Sequence, residues 1–164
     1  MDSNSQAANT LTRPRTPVIV ELFTSEGCSS CPPADALLAQ LNRMQPVPGA
    51  DVIILEQHVD YWDNLGWRDP FASAAATARQ EDYSKSLHAE VYTPQMVVDG
   101  HLEFVGGEEG PARRAITTSE SSPKAAIQLT WAGDAAGDSR NLHIRAEKLP
   151  AASNDSADVI HAVT

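Results

Sequence analysis

Cysteine is almost missing from this chain. Two in 164 residues cannot staple a small core, which excludes a disulfide-scaffold protein. Positive charge is also short: 12 Lys and Arg face 22 Asp and Glu, for a formal net charge of −10. That balance argues against nucleic acid and against an anionic membrane surface as partners. No apolar run approaches the roughly 20 residues that cross a bilayer. The opening residues, MDSNSQAANTLTRPRTP, lack the apolar centre of a signal peptide. Residues 1–16 therefore read as a flexible polar leader. Aromatic residues make up only 5%, yet Tyr61, Trp62 and Trp67 crowd into DYWDNLGWRDP, Asp60 to Pro70.

What is there centres on the two cysteines, Cys28 and Cys31, spaced as C-x-x-C. An apolar run, VIVELF from Val18 to Phe23, leads in. Ala34, Leu37, Leu38 and Leu41 leave at helical spacing. Strand, turn, C-x-x-C and helix is the setting of a redox dithiol rather than half a zinc site. The spacing lets the sulfurs close a small ring. Cys28 is expected to be the more exposed sulfur, with unpaired helix N–H groups and the dipole favouring its thiolate. It would attack a substrate disulfide, and Cys31 would resolve the mixed disulfide. Against this, Pro32 and Pro33 start the helix at or just before Cys31, leaving Cys28 in the turn ahead with less assistance. Ser29 and Ser30 are candidates to cap the helix or to donate to the thiolate. A structural disulfide is the plain alternative.

Further along, PVPGA (Pro46 to Ala50) breaks the pattern. Val52 to Val59 reads as a buried, parallel strand returning from the helix crossover. Asp69-Pro70 reads as a helix start, with the alanine-rich Phe71 to Leu87 as the second helix. Asp99-Gly100, between two apolar runs, marks a tight hairpin, and Thr93-Pro94 lies just before it. Glu108 to Thr118 closes the series as a short helix. The order is β-α-β-α-β-β-α, an α/β fold spanning 17–118. Residues 119–164 then give a linker and three alternating segments, Ala125–Trp131, Asn141–Glu147 and Asp158–Thr164. These read as a small antiparallel β extension. The last segment has no terminating turn, as in an incomplete β module.

This order, with C-x-x-C on the first helix and X-Pro before the hairpin, resembles the thioredoxin fold. VELFTSEGCSSCPPADALL, HVDYWDNLGWRDPF, ARQ and VYTPQMVVDG are similar to an uncharacterised thioredoxin-like family of bacterial, often exported proteins, known only as a domain of unknown function. The resemblance covers about residues 18 to 110. It implies a periplasmic or exported protein. It also implies that Pro94, after Thr93, is cis and faces Cys28 and Cys31. Cis bonds are only about 5–6% of X-Pro bonds, so the resemblance alone carries that expectation. Gly27 stands where better-known thioredoxins carry tryptophan, and no basic residue follows Cys31. Their buried aspartate has no identical counterpart.

Glu21, inside VIVELF, is a substitute for that aspartate as proton acceptor for Cys31; alternation equally lets it face solvent or pair with a helix residue. His58, ending the second strand near the C-x-x-C, is a candidate to tune Cys28 or to bind a metal with the cysteines, or else a hydrogen-bonded structural residue. Trp62, Trp67 and Tyr61, with Thr93, are candidates to contact a partner's peptide, or they pack a long loop. Asp60 and Asp63 orient that loop, bind a cation or stay solvated. Met96 is a soft metal ligand or core.

The expected activity is thiol–disulfide exchange on protein disulfides or dithiols, with no cofactor beyond the dithiol. The rivals are copper or zinc binding through the same cysteines, and a non-catalytic interaction module with a structural disulfide. Direction of exchange and oligomeric state are not set by the sequence.

Overall fold

The computed structural model describes residues 14–132 and 141–149. It divides after Ser121 into two units, each taken by itself. Residues 1–13 of the expected leader 1–16, and the expected strand Asp158–Thr164, lie outside the described residues, and Thr16 already belongs to the first strand.

The first unit is mixed α/β with three helices. β1 (Thr16–Thr24) leads through α1 (Pro32–Met44) to β2 (Ala50–His58). α2 (Ala74–Leu87), β3 (Gln95–Val98), β4 (Leu102–Val105) and α3 (Glu109–Glu120) follow. The sheet order is β2-β1-β3-β4. β2 runs parallel to β1, with Thr24 opposite His58, while β3 runs antiparallel to both of its neighbours, β1 and β4. The last residue of β2 therefore lands beside the turn that follows β1.

Alternation on β1 decides what each face holds. Val18, Val20 and Leu22 pack with Leu37, Leu38 and Leu41 of α1 and with Ala112 and Ile116 of α3. Truncating a buried leucine such as Leu41 there would cost about 2–5 kcal/mol. Phe23, on the other face, packs with Val59, Val97, Trp62, Tyr83 and Leu87. α2 thus covers the face away from α1 and α3.

Asp99 and Gly100 both adopt positive φ, 49° and 73°, as a two-residue hairpin of strand-matched twist requires. The second helix differs from expectation. It starts at Ala74, where Ser73 accepts the Ala76 N–H at 3.1 Å. Asp69 is engaged elsewhere, as described below. The second unit contains β5 (Ala126–Ala132) and β6 (Asn141–Glu147), paired antiparallel. No helix among the described residues is long and apolar enough to cross a membrane.

Candidate functional site

The turn after β1 is built by its own backbone. Ser25 carbonyl accepts the Cys28 N–H at 3.0 Å, and Cys28 carbonyl accepts the Cys31 N–H at 3.2 Å. Cys31 is the N-cap of α1, whose first two residues are Pro32 and Pro33. The sulfurs are joined: S–S is 2.11 Å and the Cα atoms are 5.4 Å apart.

Two expectations about Cys28 need correction. Its exposure is 2%, against 0% for Cys31, so neither sulfur is meaningfully exposed. Nor does the helix start offer free N–H donors. Pro32 and Pro33 have none, and the N–H groups of Ala34 and Asp35 both go to Cys31 carbonyl, at 2.8 and 3.1 Å. The nearby donor is instead a side chain, since Ser30 Oγ lies 3.5 Å from Cys28 Sγ. No side chain caps the helix.

Pro94 reaches this turn through a glycine. The Thr93–Pro94 bond is cis, and Pro94 carbonyl accepts the Gly106 N–H at 2.9 Å. A Cβ on Gly106 would stand 3.0 Å from Ala34 Cβ, 3.2 Å from Leu22 Cδ1 and 3.3 Å from Pro94 Cβ. Those distances are below normal van der Waals contact, so only glycine lets the proline approach the first turn of α1 this closely.

Trp62 joins the same assembly from the other side. Its indole N–H donates to Thr93 Oγ1 at 2.9 Å. A Cβ on Gly27 would lie 3.5 Å from Trp62 Cβ and 3.9 Å from Trp67 carbonyl. Tyr61 turns inward, donating to Gln80 Oε1 at 3.1 Å, whereas Trp67 is 64% exposed. Asp60 accepts the Thr77 hydroxyl and Asp63 accepts the Asp69 N–H, so both orient the loop. Met96 is core.

His58 is held by a buried carboxylate. Its Nδ1 lies 2.7 Å from Asp69 Oδ2, which also accepts the Glu26 N–H at 2.9 Å. Asp69 Oδ1 accepts the Phe71 N–H at 2.8 Å. Burial pushes the Asp69 pKa up, but the bonds from His58, Glu26 and Phe71 outweigh it and hold the carboxyl below its ordinary 3.8. Asp69 thus ties the C-x-x-C turn to the aromatic loop, two segments 43 residues apart.

Beside it lies a cleft of about 260 Å³ lined by Ser25, Glu26, Asp35, Glu56, His58 and Phe71. Burial, then Asp35 and Glu26, raise the Glu56 pKa above 4.5, with His58 opposing. Asp35 also accepts the Thr24 hydroxyl at 2.7 Å. None of the three cleft carboxylates, Glu26, Asp35 and Glu56, was singled out from sequence. Asp35 alone carried a signal there, four residues past Cys31 and so on its helix face.

Glu21 is buried, and of the two sequence readings the structure has the helix pairing. Arg79 Nε and Nη2 donate to its carboxylate at 2.5 and 2.7 Å, and the Tyr83 hydroxyl donates to it as well. These partners belong to α2, on the face of the sheet opposite α1. Pro94 and Ala34 both abut Gly106, and Trp62, bonded to Thr93, abuts Gly27, so these segments come to the residues flanking the cystine; Glu21 and Tyr61 are turned to α2. Among the described residues no group of three or more His, Cys, Asp or Glu could hold a metal ion, so the cysteines and His58 do not form such a set.

A family model described as "Protein of unknown function (DUF1223)" matches residues 19–164. The chain is similar to an Agrobacterium tumefaciens protein, a structural-genomics target solved by X-ray crystallography. Identity is 36% and TM-score 0.62 over 74% of this chain and 54% of that one. The chain thus spans about half the length of that protein. No curated protein matches it.

Proposed function

The chain belongs to the DUF1223 family, and we propose that it is a thiol–disulfide oxidoreductase of thioredoxin-like architecture, acting through Cys28 and Cys31 on protein thiols or disulfides. The observation that carries the reading is the meeting of three segments at one place. The Cys28–Cys31 disulfide, cis Pro94 and Trp62 come from the β1–α1 turn, the start of β3 and the aromatic loop.

In the oxidising direction, a substrate thiolate attacks Cys28 Sγ, the S–S bond breaks, and Cys31 leaves with the electron pair and takes up a proton. A second substrate thiolate then attacks the substrate sulfur of the mixed disulfide, and Cys28 leaves as thiolate. Two electrons pass from substrate to protein, and one substrate disulfide forms. The reverse sequence reduces a substrate disulfide. Ser30 Oγ is the donor available to a Cys28 thiolate. Glu21 is left out of this scheme because its carboxylate is committed to Arg79 and Tyr83. Trp62 and Thr93 shape the wall against which a substrate segment would lie.

The burial of both sulfurs favours a second reading, a structural disulfide. Alkylation of Cys28 in a Cys31→Ser variant, followed against pH, with insulin reduction by the wild type alongside, separates the two. A thiolate pKa well below the ~8.5 of free cysteine, with turnover, is the expected result. A normal or raised pKa without turnover leaves the structural disulfide.

A further inference from the structure

We infer that the cleft beside the disulfide turn receives a basic side chain of the substrate polypeptide while an apolar residue of the same segment rests on Trp67 and Phe71. The inference rests on the redox reading and adds a substrate class to it. Three carboxylates, Glu26, Asp35 and Glu56, line the cleft with His58, and among the described residues no lysine or arginine does. The cleft borders the cystine through the chain itself: Ser25 and Glu26 lead into Cys28, and Asp35 lies one helical turn past Cys31. A second and independent feature is apolar. Leu65, Trp67 and Phe71 are 72%, 64% and 68% exposed within one short loop, an unusual outlay of large side chains in a chain with so few aromatics.

Phe71 belongs to both features. It lines the cleft, and its ring lies 5.4 Å from that of His58. An extended segment whose cysteine approaches Cys28 would therefore meet apolar surface and negative charge together. Burial first, then repulsion from Asp35 and Glu26, raises the affinity of Glu56 for a proton, while His58, its Nε2 4.0 Å from Glu56 Oε1, opposes them. A lysine or arginine head group supplies the compensating charge from the substrate instead. Among the described residues His58 is the one basic side chain that lines the cleft, and its Nδ1 is already engaged by Asp69.

The test uses oxidised wild-type protein and two synthetic peptide dithiols, identical except for Lys or Glu two residues from the first cysteine. Single-turnover peptide oxidation is followed by mass spectrometry, with dithiothreitol as the neutral dithiol. The lysine peptide is expected to react roughly tenfold faster, from modest attraction of one charge and similar repulsion of the other. That ratio is expected to collapse in 1 M salt. It should fall toward unity in a Glu26→Gln, Glu56→Gln protein. It should survive Glu81→Gln with Asp82→Asn on α2, which makes the same charge change away from the cleft. Equal rates for the two peptides on wild type overturn the inference, as does an equal loss of preference in both double variants. Either result leaves the redox reading standing if dithiothreitol is oxidised. No reaction with dithiothreitol or either peptide removes the redox reading, and this inference falls with it.

Discussion

Trp62 donates its indole N–H to Thr93 Oγ1 at 2.9 Å, and its Cβ lies 3.5 Å from where a side chain on Gly27 would begin. One side chain thereby spans the C-x-x-C turn and the residue before cis Pro94. Tryptophan is missing at position 27, and an aromatic from a loop 35 residues later occupies the neighbouring space.

The bond can be weighed by a double-mutant cycle. Trp62→Phe and Thr93→Val each remove it and are each expected to lower unfolding free energy by about 1 kcal/mol. The double variant should cost clearly less than the sum, because the second change removes a partner already lost. Urea midpoints for the four proteins check this. Full additivity would mean the contact contributes nothing.

Gly106 sets the distance between Pro94 and α1. Gly106→Ala is expected to cost about 1–3 kcal/mol through overpacking against Ala34 and Leu22. It should also slow exchange with dithiothreitol, because relief that displaces Pro94 or the first turn of α1 disturbs the segments flanking the cystine. Stopped-flow exchange rates alongside denaturation give both numbers. A stable variant with wild-type exchange would show that the close approach is incidental.

Glu21 distinguishes a proton acceptor from an ion-pair partner. Glu21→Gln leaves Arg79 without its carboxylate in a mostly buried place, and about 3 kcal/mol of stability should go. The pH profile of Cys28 alkylation should not move, since Glu21 and its partners face α2. A shifted profile at unchanged stability would reverse the assignment.

Asp69 predicts how the fold responds to acid. Its folded pKa is held below 3.8, so the folded state binds its proton less readily than the unfolded chain does. Its contribution is therefore present in full above about pH 4 and drains away as pH falls through the folded value. Stability measured from pH 5 to pH 2.5 should fall more steeply in wild type than in Asp69→Asn. Parallel curves would show that Asp69 is not the group responsible.

Much of the scaffold could be read from the chain because its signals are local. Helical spacing from Ala34 to Leu41 and the turn at Asp99-Gly100 each declare one element, and the structure has both. The start of α2 was misplaced because Asp69-Pro70 offers valid local chemistry. Only the fold shows that Asp69 is taken by His58 and Glu26 while Ser73 makes the cap. The partners of Glu21 lie 58 and 62 residues away, beyond any local pattern. The burial of Cys28 was hidden for the same reason. Spacing places a turn, but distant segments decide what covers it.

The most direct test of the central claim is the reduction potential of the Cys28–Cys31 pair, from equilibration with glutathione buffers and quantitation of free thiol. An exchange-active pair should equilibrate readily, with a potential between about −120 and −270 mV, the span of known thiol–disulfide exchangers. A potential below about −300 mV, with no reduction on the time scale of hours, is the mark of a structural disulfide and would contradict the account.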